Sequence, residues 1–383
     1  MFKRVLIANR GEIAVRIIRA CQEMGIETVA VYSDEDADAM HVRLADYSYN
    51  IGPADASESY LNIDALMEAA ERTEADAVHP GYGFLSEDAD FAEMVTKAGM
   101  TWIGPWADTI RKVGDKDEAR AAMIPSGIPM SKGSTPLTSV EDAVEQAKDV
   151  GYPIILKPVA GGGGKGMLIA NSEDDLRNIL TIIDINKVKY YFEHYIEHSR
   201  HIEVQIVADN YGHVIHLGER ECSLQRRNQK LLEESPSIAL TPDRRAEVGA
   251  LAIKAAKSVH YNNIGTVEFL LDLKTNQFNF MEINPRIQVE HGVTEAVTGI
   301  DLVRTQIRIA AGESLDLQQE DVKFTGHAIE CRINAEDPDN NFMPSPGKID
   351  FFLEPGGPRV RVDSGVCAGL SISPYYDLSL IHI

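Results

Sequence analysis

Cysteine is scarce in this chain, and its placement argues against two kinds of site. The four cysteines are Cys21, Cys222, Cys331 and Cys367. No two of them form a CxxC pair, so zinc-binding and dithiol redox motifs are unsupported. Apolar runs stay well short of the roughly 20 residues that span a bilayer. Asn9 and Arg10 interrupt the N-terminus too soon for a secretory signal. We therefore expect a cytoplasmic protein with reduced thiols.

Positive charge is also in deficit. The chain carries 37 Lys and Arg against 59 Asp and Glu, for a formal net charge of -22. A surface this acidic repels DNA, RNA and anionic membranes, so we expect neither nucleic-acid nor membrane partners. Nucleotide binding remains open, because a phosphate site needs only a few local donors.

The N-terminal part of the chain has the pattern of a parallel α/β domain. A short apolar run at 5–8 is followed by apolar residues at helical spacing over 13–24 and by a strand pattern at 28–32. The alternation of helix and strand patterns then continues, with a helix predicted at 62–72 and a strand at 75–79. Strands separated by crossover helices predict an open parallel sheet.

A nicotinamide-binding domain is disfavoured, because the GxGxxG fingerprint is missing after the first strand and residues 8–12 hold a single glycine. Beyond residue 114 the pattern changes to mostly antiparallel strands with interspersed helices, one of them at about 243–259. The last stretch is strand-rich with Pro and Gly turns. We expect three domains, at 1–114, 115–325 and 326–383.

A glycine run at 161–164 precedes Lys165 and Gly166. Glycines let the backbone approach an anion closely and turn several N–H groups toward it. This is not a Walker A loop, since Val159 and Gly166 occupy the positions of its first glycine and its Ser or Thr. With Lys157 just upstream, the pattern favours phosphate binding over a flexible surface loop.

Two strand patterns carry oxygen ligands for a hard cation. Glu268 lies inside an otherwise apolar run. Burying a carboxylate there costs free energy unless it is ion-paired, bound to a metal or exposed to solvent. Ten or more residues later, Glu282 and Asn284 share one face of the next strand. If the two strands form a hairpin, these oxygens meet and suit magnesium. A hairpin with one solvated face is an equally good interpretation of the pattern alone.

Polar and apolar residues alternate from Glu282 to Glu290. An extended segment would put Arg286, Gln288 and Glu290 on one face, continuing from the metal ligands. An arginine fork suits a planar oxyanion such as bicarbonate, and Glu290 could act as a general base. An exposed strand with self-compensating charges is the alternative, but the mixture of groups favours a site.

Five motifs together resemble the biotin carboxylase family of ATP-grasp enzymes. They are VLIANRGEIA at 5–14, HPGYGFLSE at 79–87, GGGGKGM at 161–167, QRRNQK at 225–230 and RIQVEH at 286–291. The same module occurs in acetyl-CoA, propionyl-CoA and pyruvate carboxylases, the first of which serves fatty acid biosynthesis. The resemblance implies a Rossmann-like N-terminal domain, an ATP-grasp domain with a mobile lid at about 133–200, and a C-terminal domain that completes the site.

The resemblance also implies the reaction and its components. ATP, magnesium (or manganese in its place) and bicarbonate would carboxylate biotin by way of carboxyphosphate. Biotin would arrive on a biotin carboxyl carrier protein, because no carrier segment and no carboxyltransferase domain are present in this sequence. Carboxyltransferase subunits would be further partners, and a homodimer is typical of the family.

Individual roles follow only from this resemblance. The ATP site would comprise Lys116, Lys157, Gly163, Gly164, Glu193, His194, Tyr195, Ile196, His201, Gln225, Glu268 and Glu282. Magnesium would be held by Glu268, Glu282 and Asn284, and bicarbonate by Lys230, Arg286, Gln288 and Val289. The catalytic groups would be Lys230, Arg286, Glu290 as the base that deprotonates bicarbonate, and Arg332 as the cation that stabilises the biotin enolate, with Tyr82 near biotin.

The sequence departs from the family at several places. Asn228 stands in place of the usual histidine and His194 in place of a lysine, and the segment between Ser172 and Tyr190 is shorter than usual. After Asp377 the family pattern is lost, so we expect a truncated C-terminal domain with an unpaired sheet edge and reduced stability. Two alternatives remain: another ATP-grasp ligase, such as one resembling carbamoyl-phosphate synthetase, and a non-catalytic fragment.

Overall fold

The computed structural model describes residues 1–159, 166–185, 187–376 and 379–382, the last four by their backbone alone. The helices are α1 Gly11–Glu23, α2 Met40–Leu44, α3 Ile63–Arg72, α4 Ala89–Lys97, α5 Ala107–Gly114, α6 Lys116–Met123, α7 Val140–Val150, α8 Glu173–Ile182, α9 Pro242–Ser258, α10 His291–Thr298 and α11 Leu302–Ala310. Strands β1 to β10 are Arg4–Ile7, Glu27–Tyr32, Tyr47–Asn50, Ala77–His79, Thr101–Trp102, Ile154–Pro158, Leu168–Ala170, Tyr190–His194, Ser199–Ala208 and Val214–Arg226. Strands β11 to β20 are Gln229–Ser235, Asn263–Asp272, Gln277–Asn284, Ala328–Asn334, Glu336–Asp337, Met343–Pro344, Gly347–Lys348, Asp363–Ser364, Ser371–Ile372 and Ser379–His382. Within these residues no helix combines the length and the apolar character needed to cross a membrane.

The N-terminal sheet is parallel, with strand order β3-β2-β1-β4-β5. Its central strand β1 buries Val5, Leu6 and Ile7 completely, as a strand covered on both faces should. Helix α1 supplies Ile17 and Ile18 to the same core. The α/β expectation for this part of the chain is confirmed.

The loop after β4 is fixed by a close approach of backbone and side chain. Gly81 has a φ of +63°, and a Cβ there would lie 3.0 Å from Asn9 Nδ2. Asn9 Nδ2 donates to the carbonyl oxygens of Pro80 and Tyr82, each at 2.7 Å. A glycine is therefore required at 81, and Tyr82 is held against the end of β1.

The second sheet carries the candidate site. Its order is β13-β12-β9-β10-β11-β14-β20-β18, and its neighbouring strands run antiparallel. Helix α9 covers one face, where Val248 and Ala252 join Ile202, Val204 and Phe269 in one core cluster. Helix α11 packs near the other face, since Ile307 shares a cluster with Val207 and Leu217 and with α1. This shared cluster links the two large sheets.

A third sheet, β7-β6-β8, packs with α7 and α8 around Leu156, Leu176 and Phe192. The glycine run predicted to bind phosphate connects β6 to β7, but Gly163, Gly164 and Lys165 lie outside the described residues.

The prediction of one extended face over residues 282–290 is wrong. Strand β13 ends at Asn284, and Pro285, which has no N–H to donate, follows it. Ile287 turns into the core with no exposed surface. Glu290 is then the N-cap of α10, with φ -76° and ψ 17°. A strand, a proline turn and a helix start therefore replace the predicted single strand.

The C-terminal region is rich in strands, as predicted, but many of its apolar side chains are exposed. Strand β20 pairs with both β14 and β18. Phe351 and Leu353 are 80% and 78% exposed. These side chains add little to the packed core of the part that the structure describes.

Replacing Phe269 by alanine should test the importance of the α9 core. Phe269 is fully buried and makes edge contacts with Phe278 and Phe280 at centroid distances of 6.3 and 6.2 Å. We expect Phe269→Ala to lower the free energy of unfolding by about 3 kcal/mol or more, measured by urea titration. Phe351→Ala deletes the same side-chain atoms at an exposed position. It should change the free energy of unfolding by less than about 0.5 kcal/mol. Equal effects of the two changes would contradict this assignment of the core.

Candidate active site

Lys230 lies at the centre of a group of buried carboxylates. From β11, its Nζ donates to Glu203 Oε2 at 2.5 Å, to Glu290 Oε1 at 2.7 Å and to Glu268 Oε1 at 3.0 Å. Burial opposes the charge on Lys230, but the three carboxylates outweigh it and raise its pKa well above the usual value. Lys230 therefore stays protonated and ties β9, β11, β12 and the start of α10 together.

Glu290 is held ionised by the cations around it. Its side chain has no exposed surface, and its two oxygens accept from Lys230 and, at 2.9 Å, from Arg332 Nη2. Burial alone would raise the pKa of Glu290, but Lys230, Arg332 and Arg220 together hold it well below the usual range. At neutral pH this carboxylate is therefore ionised, which is the state that a proton acceptor requires.

Arg332 contacts a second buried carboxylate, Glu233. Its Nε donates to Glu233 Oε1 at 2.6 Å, and its Nη2 lies 2.5 Å from the same oxygen. Burial, only partly offset by Arg332 and reinforced by repulsion from Glu290, raises the pKa of Glu233 to about 7. The guanidinium of Arg332 is thus shared between Glu233 and Glu290.

The three predicted magnesium ligands lie on two paired strands. Glu268 of β12 is opposite Glu282 of β13, and Asn284 Nδ2 donates to Glu268 Oε1 at 3.0 Å. Burial and the charge of Glu268 raise the pKa of Glu282, while Lys116 and Lys157 act in the opposite direction. Two adjacent carboxylates and an amide are hard oxygen donors, so this set fits a magnesium ion.

A second group of possible ligands, His201, Glu203 and Glu268, has its ligand atoms within 4.8 Å of one another. His201 Nε2 lies 3.0 Å from Glu268 Oε2. The ammonium of Lys230 already contacts both carboxylates of this group. We therefore regard it as an ion-pair cluster, and Glu282 and Asn284 as the better partners for a metal at Glu268.

Three of the four predicted bicarbonate residues, Arg286, Gln288 and Val289, lie in the turn between β13 and α10, and the fourth, Lys230, is on β11. Arg286 Nε donates to Glu87 Oε1 at 2.5 Å, and its Nη1 donates to Gln288 Oε1 at 2.8 Å. Gln288 is buried, whereas Val289 is partly exposed and its carbonyl oxygen lies 3.2 Å from His291 Nδ1. The turn brings together the side chains that the alternating pattern had singled out, although by a different backbone path.

The residues predicted to bind ATP are spread over the β6–β8 sheet and its neighbours. Lys157 Nζ and Arg120 Nη1 donate to the two oxygens of Glu193 at 2.8 and 2.9 Å. The next two residues contact the segment that leads into β6. His194 Nδ1 hydrogen-bonds with the carbonyl oxygen of Gly151, and the backbone N–H of Tyr195 donates to that of Pro153. Ile196 is partly exposed beside them, and Lys116 begins α6. Gln225 Nε2 lies 3.2 Å from His201 Nδ1 on the large sheet.

Three buried charges of this site were not predicted from the sequence: Glu203, Arg220 and Glu233. Arg220 has no exposed surface and donates to Glu203, Gln205, Thr266 and Thr294. The run Glu219-Arg220-Glu221 in the middle of a strand did indicate paired charges, but it does not show that their partners come from other strands.

Three family models match successive parts of the chain. "Biotin carboxylase, N-terminal domain" matches residues 1–110, "Carbamoyl-phosphate synthase L chain, ATP binding domain" matches 115–318, and "Biotin carboxylase C-terminal domain" matches 330–383. The middle model is shared with another ligase family, so the two flanking models distinguish between the alternatives.

Known proteins agree with these matches. Biotin carboxylase 1 of Bacillus subtilis is 56% identical over 100% of this chain and 87% of its own length. The 2-oxoglutarate carboxylase small subunit of Hydrogenobacter thermophilus is 49% identical over 98% of this chain and 81% of its own. The biotin carboxylase domain of that enzyme, solved with MgADP, ADP and bicarbonate, superposes with a TM-score of 0.95 at 48% identity, covering 100% of this chain and 85% of the other. The Campylobacter jejuni biotin carboxylase gives the same TM-score at 46% identity, with 100% and 86% covered. The chain therefore belongs to the biotin carboxylase family, whose members carboxylate biotin with ATP.

Proposed function

We propose that this chain carboxylates biotin on a separate carrier protein and that Glu290 is the base that starts the reaction. The observation that supports this most directly is the geometry of Glu290, a buried, ionised carboxylate between Lys230 and Arg332. A carboxylate held in this way has a proton-accepting oxygen next to two cations that can bind anionic reactants.

In the first step, Glu290 takes the proton of bicarbonate, and a bicarbonate oxygen attacks the γ-phosphate of ATP. The P–O bond to ADP breaks, and carboxyphosphate forms. Lys230 and Arg286 hold the bicarbonate oxygens, while Lys116 and Lys157 neutralise the phosphates, which is mainly a positioning and electrostatic task. A magnesium ion held by Glu268, Glu282 and Asn284 would supply further charge neutralisation at the phosphates.

In the second step, carboxyphosphate separates into CO2 and phosphate. The phosphate removes the ureido proton of biotin, and Arg332 stabilises the resulting enolate. The ureido nitrogen of biotin then attacks CO2. Tyr82, fixed beside the end of β1, would lie near the biotin ring. Water must be kept from carboxyphosphate, and closure of the segment at about 133–200 would achieve this.

The same proposal extends to organisation and partners. We place domain boundaries at 1–114, 115–325 and 326–383, and we assign the carrier protein and a carboxyltransferase as partners. The relatives named above support this, since they are subunits or domains of biotin-dependent carboxylases.

The reaction can be tested by measuring ADP release with ATP, magnesium and bicarbonate, with and without free biotin. We expect turnover that requires bicarbonate and rises with biotin. Turnover that requires bicarbonate but ignores biotin would instead favour another ATP-grasp ligase. Nucleotide binding without any turnover would favour a non-catalytic fragment.

Glu290→Gln should abolish the proton-accepting group while keeping the shape of the side chain. We expect bicarbonate-dependent ADP release to fall by about 100-fold or more, with nucleotide binding retained in a fluorescence titration. Glu145→Gln, at an exposed carboxylate whose ion-pair partner among the described residues is Lys148, should leave the rate unchanged. An active Glu290→Gln protein would rule out Glu290 as the base.

Glu282→Gln should test the metal assignment. Loss of one carboxylate ligand should raise the magnesium concentration that gives half-maximal rate by about tenfold or more, and excess magnesium should recover part of the rate. His201→Asn changes a residue that contacts Glu268 without being an assigned ligand, so its effect on this magnesium concentration should be smaller. The reverse order of the two effects would place the metal at the His201 group instead.

A further inference from the structure

Arg332 is the group proposed to stabilise the biotin enolate. Its shortest contacts are with Glu233, a carboxylate that takes no part in the proposed steps. Glu233 Oε1 accepts from Arg332 Nε at 2.6 Å and lies 2.5 Å from Nη2, whereas Glu290 Oε2 lies 2.9 Å from Nη2. Glu233 is on β11 and Arg332 on the neighbouring β14, where Leu232 is opposite Cys331. The two residues are therefore diagonal neighbours on one face of the sheet.

The two carboxylates differ in what else they contact. Glu290 also accepts from Lys230, so its charge is shared between two cations. Among the described residues, the side chain of Glu233 makes hydrogen bonds to Arg332 alone, and its Oε2 is buried without a partner. A buried carboxylate oxygen without a partner is costly. The contact with Arg332 is therefore the interaction that offsets the cost of burying Glu233.

We propose that Glu233 is a positioning residue that keeps Arg332 in place for biotin after Glu290 has accepted a proton from bicarbonate. This inference rests on the proposed function. Once Glu290 is neutral, its attraction for the guanidinium falls, and Glu233 becomes the anionic partner of Arg332. The side of Nη2 that faced Glu290 is then available to the developing enolate oxygen, while Nε and Nη2 both stay in contact with Glu233.

The charges around Glu233 determine how the effect depends on pH. The groups that interact with it electrostatically are Arg332, Glu330 and Cys331 of β14, Glu290 at the start of α10, Glu203 of β9 and Cys222 of β10. Burial and the nearby acids raise the pKa of Glu233 to about 7. The anchor is therefore charged above this pH and is lost as the pH falls below it.

The test is Glu233→Gln, which keeps the size of the side chain and removes its charge. At pH 8, with free biotin as substrate, we expect kcat/KM for biotin to fall by about tenfold or more and kcat/KM for bicarbonate to fall by a smaller factor. The ratio of wild type to variant should shrink toward one at pH 6, where Glu233 is protonated in the wild type. A purely structural defect would lower both parameters alike at both pH values.

Glu234→Gln is the matched control, because the adjacent carboxylate contacts His327 Nε2 at 2.9 Å instead of Arg332. It should change kcat/KM for biotin by less than about twofold. Glu233→Asp serves if the Gln variant does not fold: it keeps the charge on a shorter side chain, so it should raise KM for biotin and retain the pH dependence of the wild type.

The outcomes separate the two proposals. If biotin stimulates the wild type but Glu233→Gln matches it at pH 8, or loses the same factor at pH 6 and pH 8, the role of Glu233 is overturned and the proposed function stands. If biotin does not stimulate the wild type at all, the proposed function fails, and with it the role of Arg332 that Glu233 would support.

Discussion

The burial of Lys230 among three carboxylates is the constraint on which the rest of the site depends. Each of these charges alone would cost several kcal/mol to take out of water. Together with Arg220 and Arg332 they offset one another, because every buried acid of the cluster contacts a cation. The cluster draws on β9, β10, β11, β12 and β14, so a shift of any one strand by a residue would leave a buried charge without its partner.

The same constraint determines which charged groups of the site are fixed and which can change partner. Lys230 is held on several sides and cannot leave without exposing its acids to one another. Glu290 has cations on both oxygens and is ionised before any reactant arrives. Arg332 contacts two acids, and one of them, Glu290, is the proposed base, so the contacts of Arg332 would change when Glu290 gains a proton.

Much of the fold could be predicted from local patterns. The helices expected at 62–72 and 243–259 are observed as Ile63–Arg72 and Pro242–Ser258. The hairpin that brings Glu268 and Glu282 together follows from two strand patterns and a short connection, but the register shift between Glu268 and Phe269 was not predicted. Patterns of this kind succeed because the residues that determine them are neighbours in the chain.

Other features depend on contacts that no local pattern reveals. Alternation continues past Asn284, but Pro285 and the burial of Ile287 end the strand there. Glu203, Arg220 and Glu233 were missed because their partners come from other strands of the sheet; Glu233, for instance, meets Arg332 across 99 positions of the chain. Only the strand order, in which β11 lies between β10 and β14, brings these charges together.

In the proposed ATP site, the contact of Lys157 with Glu193 would affect how nucleotide binds. A phosphate that approaches Lys157 meets an ammonium already neutralised by a carboxylate of the same chain. Glu193 thus competes with the phosphate for Lys157. Because Glu193 belongs to the same chain, its effective concentration beside Lys157 is fixed by the fold. Binding then becomes an exchange of one anion for another rather than the simple neutralisation of a free charge. In such an exchange a polyphosphate, which carries more charge, would compete with the carboxylate more strongly than a monoanion would.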